Sequence, residues 1–306
     1  MMSVEKVLKR DRLCRALTGL APQEFRDLLA VFAAALAQAA MDAYLTDPHR
    51  KRKPGAGRKL FAKTAEEKLF FILLYYRIYP TFEVLSFLYD RDRGNVWHAY
   101  DALSPVLESA LGKKLALPKR QIKSVEEFFE AFPEAKEVFL DGTERPIQRP
   151  KNAEKQTANY SGKKKRHTKK NIILSTRKRR VGYVSPTIKG EEHDFQIVKD
   201  TRLPDHIPKK VRIRMDAGFQ GFLKEFPGHA VSMPRKKPKG RPLCKTFKEQ
   251  NRRKSRIRIL VEHAIGGVKR FRIVADVFRN KQENADDRAM LITCGLWNYH
   301  LDATSC

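Results

Sequence analysis

Three acidic residues in this chain stand where a carboxylate does little for a fold and much for a bound cation. Asp141 closes the apolar run Val138-Phe139-Leu140, and Asp216 closes the alternating run Val211-Arg212-Ile213-Arg214-Met215. Glu262 lies inside a long basic stretch of helical pattern, Arg256 to Phe271. Converging carboxylates offer the hard oxygen ligands that Mg2+ prefers, and that ion keeps several waters, so two or three suffice. Two such ions about 4 Å apart can activate an oxygen nucleophile and stabilise the leaving oxygen of a phosphodiester. Among 63 Lys and Arg against 35 Asp and Glu, the three acids imply metal-assisted phosphoryl transfer on a polyanion.

The elements that must position these acids follow from periodicity. A first strand is expected over Glu137 to Ile147, then a hairpin of Asn171–Ser175 and Val181–Val184 around a basic turn. A helix over His193 to Lys199, a strand over Val211 to Asp216, a short helix over Phe219 to Phe226 and a strand over His229 to Met233 come next. A long helix over about Phe247 to Arg270 and an apolar helix over Ala285 to Leu301 end the chain. Three strands, helix, strand, helix, strand, long helix is the order of an RNase H-like fold. It puts Asp141 on the first strand, Asp216 on the fourth and Glu262 on the long helix. Gly142 and Gly218 also suit turn-capping aspartates, so each acid alone says little. Arg258, Glu262 and Lys269 share one helical face. There Arg258 either pairs with Glu262 across a turn or, with Lys269, meets DNA phosphates.

Residues 1–120 read as a helical DNA-binding region. Pro22 opens a helix carrying Phe25, Leu28, Leu29, Phe32 and Leu36 at helical spacing. A basic linker from His49 to Lys59 serves as a connector or as an arm on the DNA backbone. Thr64 and Glu67 form a capping box, Tyr79-Pro80 ends that helix, and Thr81 caps the next. A turn at Arg91-Asp92-Arg93-Gly94 then leads into a helix from Asn95 through Leu103. The pattern over about 60–110 fits a helix-turn-helix that would offer Arg91, Arg93, Asn95 and His98 to a major groove. Lys113 to Lys123 lacks periodicity and marks a boundary, so the catalytic domain is expected over 125–306. The fold class is α+β: an N-terminal all-helical region followed by a mixed-sheet domain.

A net charge of +28 favours a polyanionic partner. Cys14, Cys244, Cys294 and Cys306 are far apart and form no CxxC pair, which points to reduced thiols rather than disulfides or zinc. No signal peptide is expected, because Lys6, Arg10 and Arg12 precede no apolar core before Pro22. The most apolar stretch, Leu28 to Leu45, is interrupted by Gln38 and Asp42 and reads as a buried helix rather than a membrane span. A soluble cytoplasmic protein with no membrane partner is expected.

Four segments carry a more specific likeness. Asp141-Gly142-Thr143-Glu144-Arg145-Pro146-Ile147, Tyr160 through His167 with Lys163, Lys164, Lys165 and Arg166, Asp216-Ala217-Gly218-Phe219-Gln220-Gly221, and the Arg258/Glu262/Lys269 helix resemble a DDE transposase of bacterial insertion sequences. The likeness is to the IS-five family in its ISL-two-like branch, and it covers almost the whole chain. It implies an RNase H-like catalytic domain with Asp141, Asp216 and Glu262 as catalytic triad and metal ligands. It also implies Mg2+ or Mn2+ dependence, with two ions, and cut-and-paste movement of an element on the bacterial nucleoid. Double-stranded DNA, as terminal inverted repeats and target, would be the partner, with Lys163 to Arg166 holding backbone. Joining two ends implies a homodimer on DNA. In one departure, the wider pattern has Tyr three residues before the Arg and this chain has Ser255.

Asp194, beside His193, is the rival for a ligand; the alternative is a helix N-cap. Strand alternation sends Glu144 to the face opposite Asp141. Trp97 and Trp297 read as core residues. A regulator that binds without cutting and a nuclease that cuts without joining are the competing functions.

Overall fold

The structure, a computed structural model, describes residues 3–46, 61–133, 135–238, 240 and 242–304. The basic linker His49 to Lys59 lies outside the described residues. The chain divides into two compact units, one of residues 1–117, 270–276 and 289–306, the other of residues 118–269 and 277–288.

The first unit is helical. It begins with α1 (Val4–Leu8), α2 (Asp11–Thr18), α3 (Pro22–Leu45), α4 (Ala65–Ile78), α5 (Phe82–Tyr89) and α6 (Arg93–Lys113). Pro22 occupies the first turn of α3, where its missing N–H is no loss. The Thr64–Glu67 capping box starts α4, and Tyr79 ends it in the left-handed conformation. Every residue of α4 from Leu69 to Tyr76 is buried, which makes it the central helix, packed by α2, α3 and α6. The expectation of a buried helix over Leu28 to Leu45 holds for half of α3 only. Phe25, Leu28, Phe32 and Ala35 are buried, and no residue of α3 beyond Ala35 is. Apolar composition signals a wish for burial, but only the first half of α3 reaches neighbouring helices.

The second unit is a mixed sheet with helices. Its elements begin with α7 (Val125–Ala131), β1 (Glu137–Pro146), α8 (Ala153–Asn159), β2 (Tyr160–Ser161), β3 (Arg166–Ser175), β4 (Val181–Val184), β5 (Ile188–Lys189) and α9 (Asp194–Thr201). After these come β6 (Arg212–Arg214), α10 (Phe222–Glu225), β7 (Val231–Ser232) and α11 (Lys245–Val268). The chain then continues through α12 (Arg272–Ala275) and α13 (Ala285–Thr304). The main strand order is β4-β3-β1-β6-β7: β3 is antiparallel to both β4 and β1, and β1, β6 and β7 run parallel. Val138, Leu140, Ile172, Leu174, Ile213 and Met215 join Ile197 and Val198 of α9 in one apolar cluster on one face of the sheet.

Two differences from the expected elements have physical causes. β3 starts at Arg166, five residues before the expected strand, in a stretch whose buried residues Thr168 and Asn171 are polar and lie on opposite faces, so no apolar alternation announces it. β6 stops at Arg214, since Asp216 turns the chain into a 3-10 segment, Ala217–Phe219, by accepting the Gly218 N–H at 2.7 Å.

Candidate active site

Alternation and register bring two of the acids together. In β1, Val138 and Leu140 face the apolar cluster, so Asp141 faces the other way. Met215 also lies in that cluster, so Asp216 turns to the same side as Asp141. The parallel pairing of β1 with β6 matches Val138 with Ile213 and Phe139 with Arg214. Carried two residues further, that register brings Asp216, just past the end of β6, toward Asp141 in the middle of β1.

Glu262 comes from α11, which packs on β1. The start of that helix is tied down by Asn251, which exchanges hydrogen bonds with the Arg235 backbone at 2.8 and 2.9 Å, and by Lys254, which donates to the Met233 carbonyl at 2.9 Å. One and two turns on, Arg258 and Glu262 meet β1. The Arg258 guanidinium donates to Asp141 Oδ2 at 3.2 Å and to Glu262 Oε1 at 2.5 Å. Of the two roles open to Arg258 in the sequence, the structure displays the ion pair. Lys269 is part-buried and donates to the Glu144 carbonyl at 3.0 Å. Burial, and then the nearby Lys164 and Arg145, lower its pKa.

The electrostatics single out Asp141. Burial pushes its carboxyl up; Arg258 pulls it down, and Asp216 and Asp194 push it up again. The net result is a pKa raised from 3.8 to about 6. Its Oδ1 accepts the Gly142 N–H at 2.9 Å, which fixes the carboxylate direction.

Asp194 contributes to this field from the other side of the sheet. It is the first residue of α9, His193 being the N-cap. Its carboxylate lies where a Cβ on Gly142 would come within 2.6 Å of Asp194 Cγ. Only glycine at 142 admits that approach. Lys170 stands 3.5 Å away as its cation partner. The sequence left Asp194 open between ligand and cap; the N-cap is His193, and Asp194 lies beside Gly142.

The other sequence-derived residues are placed as follows. Lys163, Lys164, Lys165 and Arg166 are exposed on the tight connection between β2 and β3, held by Lys165 N–H to the Ser161 carbonyl at 2.8 Å. In the helical unit, α5 and α6 are joined through Asp90, which has a left-handed backbone. Arg91 and Arg93 are exposed there, Arg93 pairing with Glu83 at 3.3 Å. Asn95 and His98, three residues apart, share a side of α6; Asn95 donates to Asp92 at 3.3 Å.

A buried polar cluster escaped the sequence reading. Arg145 on β1 donates to the Asp286 carbonyl at 2.8 Å, to Asn171 at 2.8 Å and to Thr187 at 3.0 Å. Arg120 pairs with Asp287, and Lys169 with Asp286 at 2.8 Å. Arginine is mostly an exposed residue, so position alone carried no hint of this role.

Among the described residues, no three carboxylate, imidazole or thiol side chains stand close enough to hold one metal ion together. The donor chemistry nevertheless suits a hard divalent cation: all three groups are carboxylates, and a cationic side chain already bridges two of them.

The match to known proteins agrees with this geometry. Residues 140–298 match the family described as DDE superfamily endonuclease, and the chain belongs to it. It is therefore an enzyme of the transposase and endonuclease class, and binding and cutting DNA follow from that membership. The matched segment includes Asp141, Asp216 and Glu262. A relative described as "Probable transposase for insertion sequence element IS702", from Microchaete diplosiphon, is 30% identical over 262 residues, covering 85% of this chain and 88% of the relative. No solved structure matches the chain.

Proposed function

We propose that this chain is a transposase that cuts DNA at the terminal inverted repeats of an insertion sequence and joins the freed ends to target DNA, in the ISL-two-like branch of the IS-five family. The observation that carries the reading is the double ion pair of Arg258, which links Glu262 to Asp141, beside an Asp216 near enough to act on the Asp141 charge. The strand order β4-β3-β1-β6-β7 supports an RNase H-like catalytic domain over 125–306.

Asp141, Asp216 and Glu262 are the residues to hold Mg2+ or Mn2+, as a pair of ions. When bound, the ions would supply Lewis acidity at the scissile phosphate and lower the pKa of water. The Gly142 and Gly218 N–H groups keep the two aspartates aimed at the site. Arg258, once released, has the planar fork that grips a phosphate. Lys163, Lys164, Lys165, Arg166 and Lys269 add positive charge along the backbone path. Hydrolysis leaves a 3′-hydroxyl, which attacks a target phosphodiester in the same site, forming the new phosphodiester as the target's own 3′-oxygen departs and takes up a proton. The α5–α6 pair is the candidate helix-turn-helix, with Arg91, Arg93, Asn95 and His98 toward the groove. Two ends call for two copies, a homodimer on DNA in the cytoplasm, with no membrane.

The test is incubation of purified protein with labelled inverted-repeat ends and Mg2+. Cutting with strand transfer supports the reading; cutting alone indicates a nuclease. One observation favours a second reading: the double ion pair of Arg258 fits a DNA-binding regulator whose acids are held by arginine. Specific binding without any cleavage in Mg2+ or Mn2+ would establish that alternative.

A further inference from the structure

The second half of α3 is an apolar helix surface without burial. Its most apolar 18-residue window is only 17% buried, although the helix is long and apolar enough to cross a membrane by length and composition. Phe25, Leu28 and Phe32 fix its first half in the helical unit. Beyond Ala35 the helix presents Ala37, Ala40, Met41 (44% exposed) and Leu45 (71% exposed) to the outside.

Its charge narrows what can cover it. From Asp27 to His49 the sequence contains no Lys or Arg, a longer such run than any other in a chain of net charge +28. A polyanion finds nothing there to bind. A lipid bilayer fits no better. The part without buried residues, 36–45, spans about 15 Å, half a hydrocarbon core, and α3 packs against α2, α4 and α6. An interfacial helix would carry Lys and Arg along its polar face, and this one carries Gln38 and Asp42, hydrogen-bonded at 2.7 Å. The cover is therefore protein.

We propose that it is a second copy of this chain, α3 against α3, antiparallel across a twofold axis. Two molecules each of net charge +28 repel over most of their surfaces. The part of α3 beyond Arg26, free of Lys and Arg, is where they can come close without that repulsion. Ala37 and Ala40, one turn apart, let two helix axes approach to the short end of the usual 8–10 Å. A twofold contact joins the same patch on each partner, so no second surface is needed. Two such overhangs bury on the order of 1,000 Å2 in total, the lower bound for a specific interface, so the free dimer is weak and DNA ends reinforce it. This names the surface for the homodimer of the preceding section but stands on α3 alone.

The test is analytical ultracentrifugation of the full chain, nuclease-treated and in about 1 M salt, where charge repulsion and nucleic-acid bridging are screened. The wild type is expected to dimerise with a micromolar constant. Ala37→Glu combined with Met41→Glu should weaken dimerisation about tenfold or more, with circular dichroism and DNA nicking of a single end unchanged. Phe87→Glu, on an exposed side chain of α5, should leave the dimer intact. A wild type monomeric at about 100 μM, a double variant that dimerises like wild type, or loss of the dimer in Phe87→Glu would overturn the proposal. So would α3-dependent sedimentation with phosphatidylcholine vesicles. Because nicking is read separately, a failed dimer and a failed active site give different results.

Discussion

Two clusters in the sheet unit combine arginine with carboxylate, and they resolve the same conflict in opposite directions. At Asp287, burial pushes the carboxyl up, but hydrogen bonds from Thr187 and the Arg120 guanidinium more than offset it and hold the group below its ordinary range. At Asp141, burial is the largest push and exceeds the pull of Arg258; Asp216 and Asp194 push the same way as burial, and the pKa reaches about 6. The first cluster is satisfied and serves the fold. The second holds more negative charge than one arginine compensates, which is the condition a divalent cation relieves. Such an imbalance is what the proposed catalytic role of Asp141 calls for.

The largest difference should appear in catalysis. Asp216→Asn is expected to lower end cleavage on the order of 10³-fold while changing DNA binding by less than about threefold, as gel shifts would report. Asp287→Asn should leave the cleavage rate per folded molecule unchanged. A variant Asp216→Asn that cuts at the normal rate removes Asp216 from the site.

Stability should separate the clusters next, with opposite signs. Asp141 holds its proton more tightly when folded than when unfolded. The folded state therefore binds the extra proton between about pH 4 and 6, and stability falls as pH rises through that window. Above it, the ionised Asp141 costs up to about 3 kcal/mol. Asp141→Asn should raise the melting free energy at pH 7.5 by about 1–3 kcal/mol, a gain that fades near pH 4. Asp287, held low, contributes above its unfolded pKa and loses that contribution as the medium becomes more acidic. Asp287→Ala should destabilise by about 2 kcal/mol at pH 7.5, since it leaves Arg120 half-buried without its partner. Equal signs for the two variants would erase the contrast.

How far the site was legible depended on which physical signal each residue leaves. Asp141 and Asp216 end apolar or alternating runs, which drew attention to both; Asp216 does sit at a turn, whereas β1 runs on past Asp141 to Pro146. The first half of β3 was hidden, because a stretch whose buried residues are Thr168 and Asn171 carries no hydrophobic alternation. Arg258 stood four residues before Glu262, a spacing equally suited to an ion pair and to a shared phosphate face, and only coordinates show its contact with Asp141. Asp194 reaches Gly142 across the chain end of a sheet, a contact no local pattern encodes. Arg145 resembles any surface arginine until Asn171, Thr187 and the Asp286 carbonyl surround it. In α3, composition announced an apolar helix but could not say that its second half would contribute no buried residue.

A smaller effect would sharpen the comparison at Arg258. Because the guanidinium occupies oxygens that an ion needs, Arg258→Gln should tighten Mn2+ binding at pH 8 by about tenfold in the absence of DNA. The corresponding change at Arg120 should leave Mn2+ affinity as it was. Weaker binding in Arg258→Gln would mean that the arginine helps to build the site rather than competing for it.

The most direct measurement is crystallographic: anomalous scattering from crystals of this protein grown with Mn2+. The account predicts peaks within about 2.0–2.6 Å of oxygens from Asp141, Asp216 and Glu262, with Arg258 swung away from both of its partners. A map with no peak among those three carboxylates at saturating Mn2+, and Arg258 still bridging Asp141 and Glu262, would contradict it.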